Sequence, residues 1–318
     1  MDNSALINFF ADGEWHSGVE LAELLGVSRA AIWKRLQKLE ALGLRIEREQ
    51  SKGYRLGYGF SPLDESELSE SGFDIRVNSI TGSTNSDAQA AVVEKNSGWP
   101  ENFSVVLAEQ QTAGRGRRGK SWMSPYGANL YMSCAAALPV GAASLETLSL
   151  EVGLGLAKVL EGCGLPDVKV KWPNDIYVEG KKIAGILIEV DGDLSSHCNV
   201  VIGTGINFIK NSLADDEINQ AYTAVDQYAD VRREVVASQL SVHIYNCLNN
   251  IVLGDSVAAL ECWGEYDFLR DKPVTLLLGS NEIEGVALGL DDRGNIQIKL
   301  SDGTVKSFAG GEVSVRAK

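Results

Sequence analysis

Residues 114–119 are the first place where the sequence offers chemistry, because they form a glycine-rich loop that carries Arg115, Arg117 and Arg118. Arginine can grip carboxylate or phosphate oxygens with paired hydrogen bonds. Three glycines in six residues supply more backbone freedom than an ordinary turn requires. The loop therefore predicts a glycine-hinged cationic clamp over bound anions, with an exposed basic turn as the simpler alternative.

The same loop matches the pattern G-x-G-x-x-G, which also occurs in dinucleotide-binding folds. In those folds the glycines open a helix whose backbone amides and dipole hold the pyrophosphate. Here Pro125 and Gly127 stand where that helix should run, and three arginines accompany the glycines. The sequence therefore disfavours a dinucleotide site.

Five motifs occur in an order and spacing that resemble the biotin protein ligases. They are Ser83-Thr84-Asn85, Glu109 to Trp122, Lys171 to Asp175 (KWPND), Lys181 to Glu189 (KKIAGILIE) and Gly203 to Asn207 (GTGIN). The resemblance covers residues 75–318. It implies ATP and biotin as substrates with Mg²⁺, formation of biotinyl-5′-adenylate, and transfer of biotin to a lysine of a biotin carboxyl carrier protein.

The resemblance also implies roles for individual residues. Lys182 is expected to be the chief catalytic charge, aided by Arg115 and Arg117, because fixed cations must bring a carboxylate against a triphosphate. The implied biotin contacts are Ser83, Thr84, Asn85, Gln111, Arg115, Gly116, Arg117 and Lys182. The implied ATP and adenylate contacts are Arg118, Trp122, Asn174, Asn207 and Arg316.

Three positions in these motifs, Lys182, Asp175 and Trp122, allow a simpler interpretation. Lys182 could be a solvated strand-end lysine, since Lys181 stands beside it. Asp175 is a possible Mg²⁺ ligand, but a carboxylate after Pro-Asn is often only a turn residue. Trp122 could be a ligand wall or a core residue. Gly203 and Gly205 are expected to let backbone approach the ligand.

The first sixty residues show two helical patterns and then two alternating runs. Leu21, Leu24 and Leu25 form one apolar stripe, Ser28 suits an N-cap, and Gly43 is expected to end the second helix. This second helix buries Ile32, Leu36 and Leu39, and a hairpin from Leu44 to Leu56 follows. The combination resembles a winged-helix DNA-binding domain, with a small helical interaction domain as the alternative.

Charge is concentrated in this segment, which favours DNA as its partner. The chain has a net charge of −14, yet residues 29–55 hold eight Lys/Arg against three acids. Basic side chains on the free helix face and the wing would meet phosphates. The expected DNA contacts are Ser28, Arg29, Ala30, Lys34, Arg35, Lys38, Arg48 and Lys52, with Arg55 also on the wing.

We expect a multidomain chain with a winged helix-turn-helix domain (1–60), a linker (61–74), a central ligase domain (75–270) and a C-terminal domain (271–318). Strand-like runs alternate with longer helical stretches, which indicates an α/β or α+β centre. The strand-like runs are Val105 to Ala108, Leu130 to Leu138, Val168 to Trp172, Ile183 to Val190 and Val200 to Asn207, and the clearest helices are Leu145 to Leu160 and Val235 to Leu253. The resemblance implies a class II synthetase-like α+β fold with a large mixed sheet. Short alternating runs after 271 predict a small SH3-like β-barrel, with turns at Gly279-Ser280, Arg293-Gly294 and Asp302-Gly303. The polar segment Lys210 to Tyr228 is a candidate adenylate-binding loop.

With the DNA-binding domain, the whole chain resembles the bifunctional ligases that also repress the biotin operon, so an operator-bound homodimer is expected when adenylate is bound. A ligand-sensing regulator without turnover and a lipoate-type acyl ligase remain alternatives. The chain shows no apolar run of membrane length and no signal-peptide pattern, so we expect a cytoplasmic protein. Its five scattered cysteines predict free thiols.

Overall fold

The central domain is built on a seven-stranded sheet with the order β3-β4-β5-β9-β8-β7-β6. The computed structural model describes residues 4–41, 44–69, 72–210, 220–255, 261–278, 281–311 and 313–317. Strands β3 and β4 pair in parallel and the other neighbours are antiparallel. The predicted large mixed sheet is therefore confirmed. Its strands are β3 (Asp74–Asn78), β4 (Ser104–Ala108), β5 (Asn129–Leu138), β6 (Val168–Lys171), β7 (Asp175–Val178), β8 (Lys181–Gly192) and β9 (Cys198–Asn207).

Helices cover both faces of this sheet, because successive strand residues point to opposite faces. Val105 and Leu107 join the large core with α6 (Leu148–Gly162) and α7 (Arg233–Leu253). Val106 and Ala135 instead pack in a small cluster with Ala88 and Val92 of α5 (Thr84–Lys95). The sequence predicted α6 and α7 but missed α5, whose mixed polar composition hides its apolar face. Strands β3 and β7 were also missed, since each is short.

The N-terminal domain contains the predicted helix-turn-helix and hairpin. Its elements are α1 (Ser4–Phe9), α2 (Gly18–Leu24), α3 (Arg29–Ala41), β1 (Ile46–Glu49) and β2 (Gly53–Leu56). The backbone N–H of Ala31 donates to the Ser28 hydroxyl at 3.3 Å, so Ser28 caps α3 as expected. Ile32, Leu36 and Leu39 are buried. One detail was wrong: Leu24 is 47% exposed, because only Leu21 of α2 reaches the core fully. Gly43 lies outside the described residues.

The C-terminal domain is a five-stranded antiparallel sheet with the order β13-β12-β11-β10-β14. Turns at Gly294 and Gly303 use positive φ angles of 78° and 86°, as the predicted turn pairs require. The turn predicted at Gly279-Ser280 lies outside the described residues. The five-stranded antiparallel sheet confirms the predicted small domain of SH3-like type. Its strands are β10 (Pro273–Leu278), β11 (Asn281–Leu290), β12 (Ile296–Lys299), β13 (Val305–Phe308) and β14 (Ser314–Ala317).

The segment between the N-terminal and central domains packs on the central domain. It contains the short helix α4 (Glu65–Ser69), and α8 (Trp263–Tyr266) stands before the C-terminal domain. The Phe60 ring lies against Gly127, where a Cβ would come within 2.5 Å of it. The Tyr58 hydroxyl donates to the Tyr126 carbonyl. Residues 58–60, just before the predicted linker, therefore contact the region that follows the glycine-arginine loop. The domain boundaries at 60, 74 and 270 stay predictions.

No helix among the residues that the structure describes is long and apolar enough to cross a membrane. All five cysteines are free thiols, as predicted.

Candidate ligand cleft and DNA-binding face

A cleft of about 910 Å³ lies between the central sheet and the C-terminal domain. Every residue that the sequence assigned to biotin or the adenylate lines it: Ser83, Thr84, Asn85, Gln111, Arg115, Gly116, Arg117, Arg118, Trp122, Asn174, Lys182, Asn207 and Arg316. These positions come from six separate stretches of the chain. The fold thus brings the motifs together, while the role of each residue stays a prediction.

One end of the cleft is a buried polar socket at the start of α5. Thr84 is 3% exposed, and its backbone N–H and hydroxyl donate to Gln111 Oε1 at 3.0 and 3.1 Å. Asn85 donates from Nδ2 to Glu189 Oε2 at 2.7 Å. The Ser133 hydroxyl lies 2.7 Å from Thr84 Oγ1 and 2.6 Å from Asn85 Oδ1. Buried polar groups held in this way keep a fixed orientation.

Ser133 and Glu189 were missed as site residues. Ser133 lies in the middle of an apolar strand and shows no local motif, so only the packing of α5 on β5 reveals it. Glu189 ends the KKIAGILIE motif, yet an acid was not expected beside a bound anion. It holds both Asn85 and Arg115, whose Nη2 lies 2.8 Å from Glu189 Oε2.

Gly203 and Gly205 leave room for side chains of the cleft. A Cβ at Gly203 would lie 2.1 Å from Asn85 Oδ1. A Cβ at Gly205 would lie 2.4 Å from Trp122 Cε2. The glycines were expected to admit the ligand; in this structure they admit Asn85 and the indole of Trp122.

Trp122 forms part of the cleft wall, resting on Gly205. Its buried indole N–H has no hydrogen-bond partner among the described residues. The Lys182 ammonium lies 5.4 Å from the centre of the indole ring and 2.7 Å from Asp175 Oδ1. The Lys182 side chain is only 14% exposed. These contacts argue against the solvated strand-end interpretation, since Lys181 is the exposed lysine of the pair.

The glycine-arginine loop folds into a tight hairpin, not into the start of a long helix. Gly116 N–H donates to Lys120 O at 2.7 Å, and Trp122 N–H donates to Gly114 O at 2.9 Å. The hairpin leaves no room for a side chain at Gly114, because a Cβ there would lie 2.5 Å from Trp122 O. Gly119 has a φ of 71°. This geometry differs from the dinucleotide-binding turn, in which the glycines open a helix.

Arg117 connects this loop to two other parts of the chain. Its Nη1 donates to Asn174 Oδ1 at 3.1 Å, and its Nη2 donates to the carbonyl of Gly310 in the C-terminal domain. Asn174 in turn donates to Ile186 O at 2.6 Å. Burial, reinforced by the neighbouring Arg118, lowers the pKa of Arg117. A guanidinium remains charged at neutral pH, so Arg117 carries a partly desolvated positive charge.

The cleft is strongly cationic. Among the described residues that line it, seven are Lys or Arg and one, Asp175, is acidic. Lys171 belongs to this set and was missed as a site residue, although it lies inside the KWPND motif. Burial lowers the pKa of Lys171, and Lys182, Lys120 and Arg316 lower it further against the opposing effect of Asp175. Such an arrangement suits a polyanion, which would neutralise this mutual repulsion.

The described residues do not form a resident metal site. No group of three or more His, Cys, Asp or Glu side chains stands together among them. Asp175, the possible Mg²⁺ ligand, is instead ion-paired with Lys182. A divalent cation held by protein alone needs several oxygen ligands, so these residues do not fit one.

The loop from Lys210 to Tyr228 is only partly described, since residues 211–219, with Asp215, Asp216 and Glu217, lie outside the described residues. Its C-terminal end runs beside Lys182. Lys182 N–H donates to Ala221 O at 3.1 Å, and Thr223 N–H donates to Lys182 O at 2.9 Å. Asn207 Nδ2 donates to Thr223 O at 3.2 Å. This return segment therefore lies against the cleft at both Lys182 and Asn207.

The predicted DNA contacts of α3 lie on one exposed surface. Ser28, Arg29, Ala30, Lys34 and Lys38 are exposed, and Arg35 is half-buried at the flank. Trp33, which was not among the expected DNA contacts, is 50% exposed on the same helix. An exposed indole on a helix of this kind can contact thymine methyl groups.

The basic residues of the wing are paired with acids of the same domain. Arg48 makes two hydrogen bonds to Glu40 at 2.6 and 2.8 Å, Arg55 binds Glu47 at 2.6 Å, and Lys52 lies 3.0 Å from Glu49. The positive charge expected for the wing is therefore largely neutralised within the domain. Phosphate would have to compete with these carboxylates.

Three family descriptions match the three parts of the chain. The biotin/lipoate A/B protein ligase family matches residues 80–207, an HTH domain matches residues 4–55, and the biotin protein ligase C-terminal domain matches residues 271–316.

The chain also has relatives that match it along nearly its whole length. The bifunctional ligase/repressor BirA of Salmonella typhimurium is 37% identical, covering 98% of this chain and 97% of that protein. The protein of the same name from Escherichia coli is 36% identical over 98% of this chain and 96% of its own. Among solved structures, the biotin protein ligase of Aquifex aeolicus in complex with biotin and ATP is 27% identical, with a TM-score of 0.63 over 77% of this chain and 99% of that one. The chain belongs to the biotin protein ligase family, in the form that carries an N-terminal helix-turn-helix domain.

Proposed function

We propose that this protein is a biotin–[biotin carboxyl-carrier protein] ligase that also represses transcription of a biotin operon. It activates biotin with ATP to biotinyl-5′-adenylate and transfers biotin to a carrier lysine. The adenylate also serves as corepressor. Relatives named bifunctional ligase/repressor and a relative solved with biotin and ATP support this proposal.

The observation that carries the proposal is the pairing of two environments in one cleft. A buried polar socket around Thr84, Asn85 and Gln111 suits a small uncharged head such as the ureido ring, whose hydrogen bonds would be costly to leave unmade. Beside it stand seven basic side chains, which suit a carboxylate and a triphosphate. Biotin activation needs both environments side by side: the socket for the ureido ring, and the basic side chains for the biotin carboxylate and the ATP triphosphate.

Fixed cations lower the barrier of the first step. The biotin carboxylate attacks the α-phosphorus of ATP and pyrophosphate leaves, so negative charge grows on the phosphoryl oxygens. Lys182 and Arg117 are already partly desolvated and held by protein partners, so they need little reorganisation to stabilise that charge. In the second step a neutral carrier lysine attacks the acyl carbon, and AMP leaves.

The loop 114–122 shields the adenylate during this sequence. Arg117 ties it to Asn174 and to Gly310 of the C-terminal domain, so the loop can exclude water from the mixed anhydride. Arg118, Asn207 and Arg316 are proposed adenylate contacts. Mg²⁺ enters with the ATP phosphates, and Asp175 is the one acidic side chain among the described lining residues that could approach it.

The N-terminal domain binds operator DNA through α3. Two copies of the chain, associated when the adenylate is bound, place two α3 helices on a palindromic site. Footprinting with and without biotin and ATP tests this coupling: protection should strengthen when both are present. Identical footprints would remove the corepressor role.

Biotin-dependent exchange of labelled pyrophosphate into ATP tests the enzyme proposal, because it reports substrate, chemistry and site together. We expect exchange that requires biotin and that lipoate does not inhibit. A ligand-sensing regulator without turnover would bind biotin and show no exchange. Exchange driven by lipoate would instead assign the cleft to a lipoate-type acyl ligase.

A further inference from the structure

Arg233, the first residue of α7, is almost completely buried outside the ligand cleft. Its side chain is 7% exposed and that of its partner Glu109 is 6% exposed. Nη1 donates to Glu109 Oε2 at 2.7 Å and Nη2 donates to Glu109 Oε1 at 3.1 Å. A buried ion pair is an expensive way to gain stability, since hydrophobic residues of the same volume often serve as well. Its location indicates a further role.

The segment that carries the glycine-arginine loop begins at Glu109 and returns to it at Gly127. The Glu109 backbone carbonyl accepts a hydrogen bond from Gly127 N–H at 2.9 Å. Residues 109–127 therefore form a closed loop, with its entering stem at Glu109 and its leaving stem at Gly127. This closed loop contains Gln111, Arg115, Arg117 and Trp122, all of which line the cleft.

The Arg233 guanidinium binds the entering stem of this closed loop and the start of β5, which follows the leaving stem. Besides binding the Glu109 carboxylate on the entering stem, it donates from Nη1 to the carbonyl of Asn129, two residues past the leaving stem, at 3.0 Å. It also donates from Nη2 to Ser61 O of the linker at 2.5 Å. Leu63 N–H donates to Glu109 Oε1 at 2.6 Å. One planar group thus fixes the closed loop against the central domain and the linker.

We propose that Arg233 is a positioning residue for biotin activation, which sets the orientation of the closed loop 109–127 by binding Glu109 at its entering stem and Asn129 just past its leaving stem. This inference rests on the proposed function. Arg233 touches no substrate itself. It acts through Gln111 and the loop arginines, whose placement depends on where the stems are anchored.

Arg233→Lys tests the proposal, because lysine keeps the charge opposite Glu109 but cannot span Glu109, Asn129 and Ser61 with a planar fork. We expect the KM for biotin in pyrophosphate exchange to rise by about tenfold or more, since small misplacements of binding groups have large effects. Arg232→Met is the matched control: Arg232 precedes Arg233 but pairs with Glu67 at the surface. Its KM for biotin should stay within about twofold of wild type.

A merely structural role would give a different result. If Arg233→Lys only destabilised the fold, the active fraction and apparent kcat would fall while the KM for biotin of the folded enzyme stayed unchanged, and that outcome overturns the proposal. The double variant Glu109→Gln/Arg233→Met removes both buried charges together. A wild-type KM in this variant would also overturn it.

Limited trypsin digestion separates this proposal from the proposed function. Cleavage after residues 115–120 should be at least several-fold faster in Arg233→Lys than in wild type, whatever the catalytic activity. Absence of exchange in the wild type would refute the ligase proposal, while the digestion would still decide whether Arg233 holds the loop. Equal cleavage rates would refute the positioning role.

Discussion

At the scale of single residues, the site depends on charges that have protein partners before any ligand arrives. Lys182 is held by Asp175, Arg115 by Glu189 and Arg117 by Asn174. A charge that is already oriented and partly desolvated stabilises developing negative charge better than one that must leave water. The two neighbouring lysines at the start of β8 allow a direct comparison.

Lys182→Met should lower the rate of biotinyl-adenylate formation by about 100-fold, the size of effect seen when one preorganised donor is removed. The fold should persist, since Asp175 stays partly accessible to water. Single-turnover release of pyrophosphate measures the rate. Lys181→Met removes the adjacent exposed lysine and should change the rate by less than about twofold. Equal losses in both variants would contradict the role of Lys182.

Arg117→Gly should leave the fold intact and release the adenylate prematurely. The variant loses the contacts to Asn174 and Gly310 that hold the loop against the central and C-terminal domains. The dissociation rate of preformed adenylate, followed by a chase with unlabelled biotin, should rise by about tenfold or more. Urea denaturation checks the fold. Unchanged adenylate retention would count against the clamp.

At the scale of elements, helix α6 carries a buried carboxyl that the proposed reaction does not use. Glu151 is 1% exposed, Thr147 donates to its Oε1 at 2.6 Å, and its Oε2 has no hydrogen-bond partner among the described residues. Burial raises the pKa of Glu151 above its ordinary value of 4.5. This group should make the stability of the fold depend on pH.

Glu151→Gln should increase the free energy of unfolding at pH 8 relative to wild type. A carboxyl whose pKa is raised by folding contributes stability below its unfolded-state pKa, and that contribution is lost as pH rises through the folded-state pKa. Glutamine cannot ionise, so it escapes this loss. Urea denaturation at pH 5 and pH 8 measures the difference, which should be larger at pH 8.

The exposed Glu146, five residues earlier, supplies the control for this experiment. Glu146→Gln should change stability almost equally at both pH values, because its carboxyl stays in water. If the effect of Glu151→Gln did not grow with pH, the burial of an ionisable Glu151 would not govern the pH dependence.

At the scale of the whole molecule, charge is divided between an acidic chain and a small basic face. The net charge is −14, and the wing arginines are further neutralised by Glu40 and Glu47. Pairing with Arg48 lowers the pKa of Glu40, so this carboxylate remains charged. We therefore expect acids of the N-terminal domain itself to limit its affinity for DNA.

Glu40→Gln should tighten DNA binding, because it frees Arg48 for a phosphate contact. In a plot of the logarithm of the binding constant against the logarithm of salt concentration, the slope of the variant should be more negative than that of wild type by about one. Titration of labelled operator duplex at several salt concentrations measures both effects. Glu94→Gln breaks the surface pair with Arg76 in the central domain and should leave the slope unchanged. Equal slopes in wild type, Glu40→Gln and Glu94→Gln would contradict the proposal that Glu40 competes with phosphate for Arg48.

The sequence alone determined the order of the domains, the helix-turn-helix and the motifs of the cleft, because periodicity and short motifs are local properties of the chain. The partners that hold those motifs could not be predicted. Ser133, Glu189 and Arg233 lie far along the chain from Asn85, Arg115 and Glu109. Only the packing of α5, of the glycine-arginine loop and of α7 on the central sheet brings these pairs together. The wing is the clearest case. Its basic residues can be read from the sequence, but only the tertiary structure shows that carboxylates of the same domain already pair with them.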